Sequence, residues 1–393
     1  ILIGSGIYFT VRTRFPQVRL FKNACSAVME KPEGDESVSS FQALMVSTAS
    51  RVGTGNIVGV SSAICIGGVG SVFWMWIIAI LGSASALAES TLAQIYKKKG
   101  KDGQCYGGPA YYIEAALHSR GLAVGFCIAM ILTYAFGFNM LASYNLQSTF
   151  SVFSFYEAKI SPWIIGGILA VLTGWCLLGG GSRIVKVTSM VVPVMGIAYI
   201  GISLLVVIIN IQNVPAMFVR IFEEAFDFKA IFGAFSGSAM MQGIRRGLYS
   251  NEAGIGSAPN ASASANVSHP VKQGLIQALS VFTDTIVICS CTAFIILLSD
   301  LPLDGTLKGI QLTQAAVGRE IGPFGAQFIA FCILLFAFSS IVGNYSYCET
   351  NLFFISRHPA GLQIYRIAVG GMVFFGSVAG LDIVWNLADL FMA

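Results

Sequence analysis

The chain has 393 residues, of which 55% are hydrophobic and only 11% charged, and its mean hydropathy is +0.75. Soluble domains carry about 25% charged residues, so the composition excludes an ordinary soluble protein and indicates one that crosses a membrane many times. The net charge of +4 is confined to particular loops and does not indicate a nucleic-acid partner. The nine cysteines and three histidines form no ligand cluster in the sequence, which argues against a metalloenzyme.

Apolar stretches near the 20 residues needed to cross a bilayer predict eleven spans: 1–11, 41–66, 71–95, 121–146, 162–180, 187–209, 230–248, 273–298, 323–348, 363–380 and 382–393. The first and last are short, and we expect both to be clipped. Most basic residues fall in alternate connections, to which we assign Arg245 and Arg246 as well. Since basic loops are cytoplasmic, the span beginning near Phe41 runs from inside to outside. We interpret 250–270 as a compact helical segment beneath the cytoplasmic face.

The sequence RVGTGNIVG at 51–59 interrupts the first long span with glycines and polar residues. A helix break inside lipid frees backbone groups, which is tolerated where they line a cavity. The break therefore predicts a binding site of a transporter. The alternative, that the glycines only allow close helix packing, stays open.

A second interruption, GAFSGS at 233–238, falls in the sixth span counted from the broken one. Five spans between equivalent breaks mean that the second copy enters from the opposite face. This spacing predicts an inverted repeat whose paired discontinuous helices meet at the repeat interface.

Residues 67–82, GGVGSVFWMWIIAILG, resemble the signature of the sodium:alanine (alanine or glycine:cation) symporter family. RVGTGNIVGV at 51–60 and SNEAGIGSAP at 250–259 resemble two further blocks of that family. Ser71 stands where the family pattern has Gly or Ala.

The resemblance implies an all-α polytopic membrane protein of leucine-transporter-like architecture. We expect a clipped extra N-terminal helix and cytoplasmic connection in 1–40, a first five-helix repeat in 41–210, and a second, inverted repeat in 211–393. The first and sixth repeat helices would be discontinuous. The expected activity is import of a small neutral amino acid with Na⁺ across a prokaryotic inner membrane, without an organic cofactor. A proton-coupled carrier and a channel are the alternatives; nothing in the sequence indicates an enzyme. The substrate and the oligomeric state stay open.

A zwitterionic substrate needs donors for its carboxylate and acceptors for its ammonium group. The amides at Thr54, Gly55 and Asn56 begin the outer half of the broken span, and the positive end of a helix dipole suits a carboxylate. The second break would supply acceptors. The predicted substrate-binding residues are Gly53, Thr54, Gly55, Asn56, Gly137, Asn139, Ala234, Phe235, Ser238 and Asn344.

The sequence departs from the family pattern at two positions in this region. Glutamine is usual at the place of Ala142, and tryptophan is usual near Asn344. We therefore expect a roomier pocket that admits serine or glutamine besides alanine and glycine.

Sodium prefers hard oxygen ligands, and Ser339 and Ser340 supply adjacent hydroxyls one turn after Phe336. The architecture implied by the resemblance pairs them with carbonyls of the first broken span. The predicted Na⁺ ligands are Ala49, Val52, Phe336, Ser339 and Ser340. Alternatively, the serines bond carbonyls of their own helix.

Ionisable residues inside spans are functional or paired by default. We hypothesise that Arg51 pairs with Asp284 or Glu252 and braces the inner half-helix as a gate. A static ion pair without a gating role is the alternative. The block SNEAGIGSAP, which contains Glu252, is interpreted as an inner-gate segment.

Overall fold

The computed structural model describes residues 1–30, 38–100, 105–227, 238–303 and 305–392, and these are almost entirely helical. Within these described ranges, seven continuous helical stretches are long and apolar enough to span a membrane: Ser71–Ile95, Arg120–Val152, Ser161–Leu178, Gly180–Ile209, Pro270–Leu298, Phe324–Ile355 and Pro359–Val378. A shorter apolar stretch is Gly55–Gly67. The polytopic all-α class is confirmed.

Three helices precede the first repeat: α1 (Leu2–Arg12), α2 (Pro16–Arg19) and α3 (Phe21–Val28). Helix α1 packs along the long helix Ser71–Ile95. After α1, the Gln17 amide donates to the Ile80 carbonyl at 3.2 Å. The extra N-terminal helix is thus fixed to the outside of the helix bundle.

The first repeat starts with a capping box, in which Ser39 Oγ accepts from the Gln42 amide and Ser39 N donates to Gln42 Oε1. Such reciprocal bonds satisfy the free amides at a helix start. Its helices are α4 (Ser40–Arg51), a π-helical turn (Gly55–Gly59), α5 (Val60–Gly67), α6 (Ser71–Ile95), α7 (Pro109–Leu117), α8 (Arg120–Met130), a π-helical segment (Ile131–Phe138), α9 (Asn139–Thr149), a 3₁₀ turn (Phe150–Val152), α10 (Ser161–Leu178) and α11 (Gly180–Ile209). Between α6 and α7, β1 (Lys98–Lys99) pairs antiparallel with β2 (Cys105–Tyr106).

A 3₁₀ turn (Ile211–Asn213) and α12 (Val214–Phe226) lead into the predicted second repeat. Its helices are α13 (Ala239–Asn251), α14 (Ala258–Ser262), α15 (Pro270–Val281), a π-helical segment (Phe282–Cys289), α16 (Ser290–Leu298), α17 (Ile310–Ile321), α18 (Phe324–Ile355), α19 (Pro359–Val378) and α20 (Leu381–Met392). The boundaries 41–210 and 211–393 stay a prediction.

The break in the sixth repeat helix follows Asn251, where the sequence analysis had placed a cytoplasmic segment. Helix α13 ends at Asn251, and α14 begins only at Ala258. Between them Glu252, Gly254 and Gly256 have positive φ angles of 53°, 82° and 88°, a backbone that glycine adopts readily. The interpretation of 250–270 as lying beneath the membrane face is therefore wrong for 250–263, which are almost all buried.

The contacts of Glu252 show how deep this second break lies. Glu252 is 1% exposed, and Ser50 Oγ, at the end of α4, lies 3.0 Å from its Oε1. The two breaks therefore face each other inside the bundle. The predicted break at 233–238 lies outside the described residues, except Ser238, whose side chain caps the start of α13.

Helix α13 forms the outer half of the discontinuous helix. Its first turns pack against the outer end of α5 and the start of α6, where a Cβ at Gly67 would lie 2.8 Å from Gln242 Cβ. Arg245 and Arg246 lie within α13. Their assignment to the cytoplasmic side is therefore wrong.

Candidate functional site

A narrow cavity of about 20 Å³ lies between the two breaks. The predicted residues Gly53, Thr54, Gly55 and Asn344 line it. The other lining residues are Ser50, Arg51, Phe138, Ala142, Tyr249, Glu252 and Ser340. The structure therefore brings the first break, the sixth repeat helix and the α18 serine together.

The first break exposes hydrogen-bond donors to this cavity. The last backbone hydrogen bond at the end of α4 is donated by the Val52 amide to Thr48 O at 2.8 Å. Among the described residues, no hydrogen bond is made by the amides of Thr54 and Gly55, while the amides that follow bond back to the turn. Two unpaired amides at the start of a helical segment form a site for an anionic group such as a carboxylate.

The side chain of Asn56 points away from the cavity and shapes the break. Its Oδ1 accepts from the Gly53 amide at 2.9 Å, and its Nδ2 donates to Asp284 Oδ1 at 2.6 Å. Asp284 is fully buried and also accepts from the hydroxyls of Ser250 and Thr285. Asn56 does not line the cavity, and its geometry supports a role in holding the break rather than in direct contact with a substrate.

Two other predicted substrate residues also lie away from the cavity lining. Gly137 packs against α20, where an added Cβ would lie 3.2 Å from Ala388 Cα. Asn139 accepts from Asn344 Nδ2 at 2.9 Å and so supports a lining residue from behind. Ser238 caps the outer end of α13, away from this cavity, and Ala234 and Phe235 lie outside the described residues.

A ladder of rings and charges extends from the cavity toward the outer end of α13. The rings of Phe138 and Tyr249 meet edge to face at 4.8 Å, and Trp385 follows 5.9 Å from Tyr249. The Arg246 guanidinium stacks 4.3 Å from the Trp385 ring and lies 3.9 Å from Asp389. The sequence analysis did not predict this ladder. The pattern that could have indicated it is the pair Arg246 and Tyr249, one turn apart in α13.

On the opposite side, an open cavity of about 580 Å³ lies between the cytoplasmic ends of several helices. Gln42, Ser182, Asn260, Ser346 and Glu349 are among its lining residues. The cytoplasmic side is assigned from the basic loops. The bundle is therefore more open at its cytoplasmic end than along the ladder.

The two predicted sodium serines point in different directions. Ser340 Oγ lies 3.4 Å from the Ser50 carbonyl and faces the break at Gly53. Ser339 Oγ donates to Phe336 O at 3.1 Å and also contacts Met195. Ala49, Val52 and Phe336 are buried beside them. Hydroxyl and carbonyl oxygens are a donor set that fits Na⁺, and Ser340 is the serine aimed at the break.

Arg51 does not form the direct ion pair that we hypothesised. Its Nη1 donates to the side-chain oxygen of Gln277 at 3.1 Å, and among the described residues no carboxylate lies within 4.0 Å of its guanidinium. It lines the same cavity as Glu252, and Glu89, Glu252 and Asp284 are all buried. Arg51 thus lies within a buried acidic cluster without touching it.

The model of the sodium:alanine symporter family matches residues 1–393. AlsT of Bacillus subtilis, an amino-acid carrier protein, is 49% identical over all of this chain and 83% of its own length. GlnT of the same species, a probable sodium/glutamine symporter, is 46% identical over all of this chain and 81% of its own length. The chain belongs to the sodium:alanine symporter family.

The fold agrees with this assignment. The crystal structure of MhsT in complex with L-phenylalanine matches with a TM-score of 0.64 at 14% identity, covering 92% of this chain and 88% of MhsT. This likeness shows the leucine-transporter fold. The predictions of family, fold and transporter class are confirmed, and the family consists of transporters rather than enzymes.

Proposed function

We propose that this protein imports a small neutral amino acid together with Na⁺ across a prokaryotic cell membrane by alternating access. The cavity between the two breaks carries this proposal, because the free amides of Thr54 and Gly55 converge there on one buried space. Partial positive charges at a helix start bind a carboxylate without a basic side chain. Alanine, glycine, serine and glutamine are the candidate substrates.

Sodium would be held by carbonyls of Ala49, Val52 and Phe336 and by the two α18 hydroxyls. Ser340 supports this placement because its hydroxyl faces the break directly. Ser339 would have to release the Phe336 carbonyl to join it. A bound cation there would supply positive charge beside the substrate and tie α18 to the first broken helix.

Alternating access is supported by the unequal closure of the two ends. The Phe138–Tyr249–Trp385 ladder closes the path on the outer side, whereas the large cavity opens on the cytoplasmic side. Packed interfaces of this kind adopt discrete arrangements rather than deforming continuously. We interpret the structure as a cytoplasm-facing state.

The width of the cavity bears on the substrate. Ala142 lines it with a small side chain, so that a longer neutral substrate meets less obstruction than it would beside glutamine. One relative is named as a sodium/glutamine symporter. We therefore include glutamine among the substrates of this chain.

The test is uptake of labelled alanine, glycine, serine and glutamine into proteoliposomes, with and without an inward Na⁺ gradient. We expect concentrative uptake that requires Na⁺ in the wild type and in the control Ser148→Ala, whose hydroxyl bonds only its own helix. Ser340→Ala should lose Na⁺ dependence more strongly than Ser339→Ala. Equal uptake driven by a proton gradient in Na⁺-free buffer would refute sodium coupling and keep the carrier.

A further inference from the structure

Glu252 contributes the one acidic side chain that lines the cavity among the described residues. It lies at the second break with a φ of 53°, a backbone that costs free energy for a residue with a side chain. Its Oε2 accepts from Ser257 Oγ at 2.7 Å, and its Oε1 lies 3.0 Å from Ser50 Oγ. The strained backbone thus directs a buried carboxylate toward the end of α4.

Ser50 stands between two acceptors and cannot satisfy both. Its Oγ lies 2.6 Å from Asn344 Oδ1 as well as 3.0 Å from Glu252 Oε1, and a hydroxyl has a single proton to donate. The orientation of Asn344 is fixed, because its Nδ2 donates to Asn139 Oδ1 while Asn139 Nδ2 donates to Ala135 O. Glu252 Oε1 and Asn344 Oδ1 therefore share the single hydroxyl proton of Ser50, and one of the two lacks a hydrogen bond from Ser50.

The carboxylate of Glu252 also lacks a cationic partner. Among the residues described, no Lys, Arg or His nitrogen lies within 4.0 Å of it, and the nearby Arg51 donates to Gln277 instead. A buried carboxylate without a partner is costly. A ligand that brings a positive charge and several N–H donors would remove this cost.

We propose that Glu252 Oε1 and Asn344 Oδ1 form the subsite for the α-ammonium group of the substrate. The inference rests on the proposed function and assigns the second half of its recognition. An ammonium group donates three hydrogen bonds, enough for both oxygens and one backbone carbonyl of a break. The carboxylate of the same substrate binds the amides of Thr54 and Gly55, so that the cavity offers a negative and a positive site to one zwitterion.

The test compares Glu252→Gln with wild type, using L-alanine and L-lactate as probes. Glutamine keeps the size of the side chain and its bond to Ser257 but removes the charge. Charge-assisted hydrogen bonds contribute about 1.5–3 kcal/mol, so alanine affinity should fall by about 10- to 100-fold. Lactate carries the carboxylate without the ammonium, so the preference for alanine over lactate should fall by the same factor. Ser148→Ala, whose hydroxyl bonds Asn145 O of its own helix, is the control, and it should keep that preference.

Sodium binding, followed by tryptophan fluorescence in the absence of amino acid, reports whether each variant folds. We expect Glu252→Gln to bind Na⁺ and Glu252→Asp to recover most of the alanine affinity. Wild-type alanine affinity in Glu252→Gln would overturn the inference and leave the proposed function standing. If Glu252→Gln does not fold, equal binding of L-alanine and L-lactate by the wild type would overturn the inference, because the ammonium group would then contribute nothing to binding. A wild type that binds none of the neutral amino acids would instead overturn the proposed function.

Discussion

Gly53 lies where the first break touches α18, and replacing it by alanine tests the sodium site most directly. A Cβ at Gly53 would collide with Ser340 Oγ and lie 3.3 Å from Ser340 Cβ. The collision can be relieved by rotating the Ser340 side chain. That rotation ends the contact of Ser340 Oγ with the Ser50 carbonyl and turns the hydroxyl away from the break.

The expected loss of Na⁺ affinity in Gly53→Ala follows from two costs, the rotation of the Ser340 side chain and the loss of its contact with the cation. An unfavourable rotamer costs about 0.5–1.5 kcal/mol, and loss of one hydroxyl contact to a cation costs about 1–3 kcal/mol. We take about 2 kcal/mol as the net loss, which corresponds to a roughly 30-fold rise in the Na⁺ concentration for half-maximal uptake. The assay is the Na⁺ dependence of initial alanine uptake into proteoliposomes.

Gly59→Ala is the matched control, because the nearest atom to its added Cβ is Tyr249 Cδ1 at 3.8 Å, an ordinary contact. Its Na⁺ dependence should stay at the wild-type value. The double variant Gly53→Ala/Ser340→Ala removes the collision and should restore thermal stability while the Na⁺ dependence stays weak. A folded Gly53→Ala protein with wild-type Na⁺ dependence would refute the placement of Ser340 at the ion.

Ala142→Gln places an amide in the cavity lining. In competition uptake assays, the preference should shift from glutamine toward alanine and glycine. An unchanged ratio of alanine uptake to glutamine uptake would contradict the roomier pocket. Asp389→Asn removes the charge 3.9 Å from Arg246; because Asp389 is half-exposed, the pair contributes up to about 1 kcal/mol. Outer-side labelling of an introduced cysteine should therefore rise by up to about fivefold, and unchanged labelling would argue against an outer gate. The hydrogen bond from Lys272, with a smaller one from Ser268, holds the pKa of Glu30 below its ordinary value of 4.5. This stabilisation is present above pH 4.5 and is lost as the pH falls through the lowered pKa of Glu30. The melting temperatures of wild type and Glu30→Gln should therefore differ at pH 7 and converge in acid. A difference in melting temperature that does not change with pH would contradict the stabilising Glu30–Lys272 pair.

Sequence patterns were sufficient for the membrane class because hydropathy is a sum over about 20 residues and does not depend on neighbouring helices. The seven long apolar helices of the described residues follow from it. The break at 51–59 was also readable, since glycine and polar residues inside a long apolar stretch are a local signal. Three sequence blocks carried the family assignment without any structure.

The second break could not be located in the same way. GAFSGS and NEAGIGS are both rich in glycine and small residues, and glycine is common in membrane helices, so composition does not tell a loop from a buried break. Only the packing of Glu252 against Ser50 places the second segment inside the bundle. The contacts of Asp284, in the π-helical segment Phe282–Cys289, were likewise visible only in the structure.

Length, hydropathy and motif order are properties of the chain, so they were enough to identify a helical membrane carrier with a broken first helix. The tertiary structure alone decided which atoms face the cavity. Adjacent residues on a helix point about 100° apart, so Ser339 and Ser340 look alike in sequence but contact Met195 and the break respectively. Asn56 turns to Asp284 and Arg51 turns to Gln277 for the same reason: direction depends on which helices pack around each side chain.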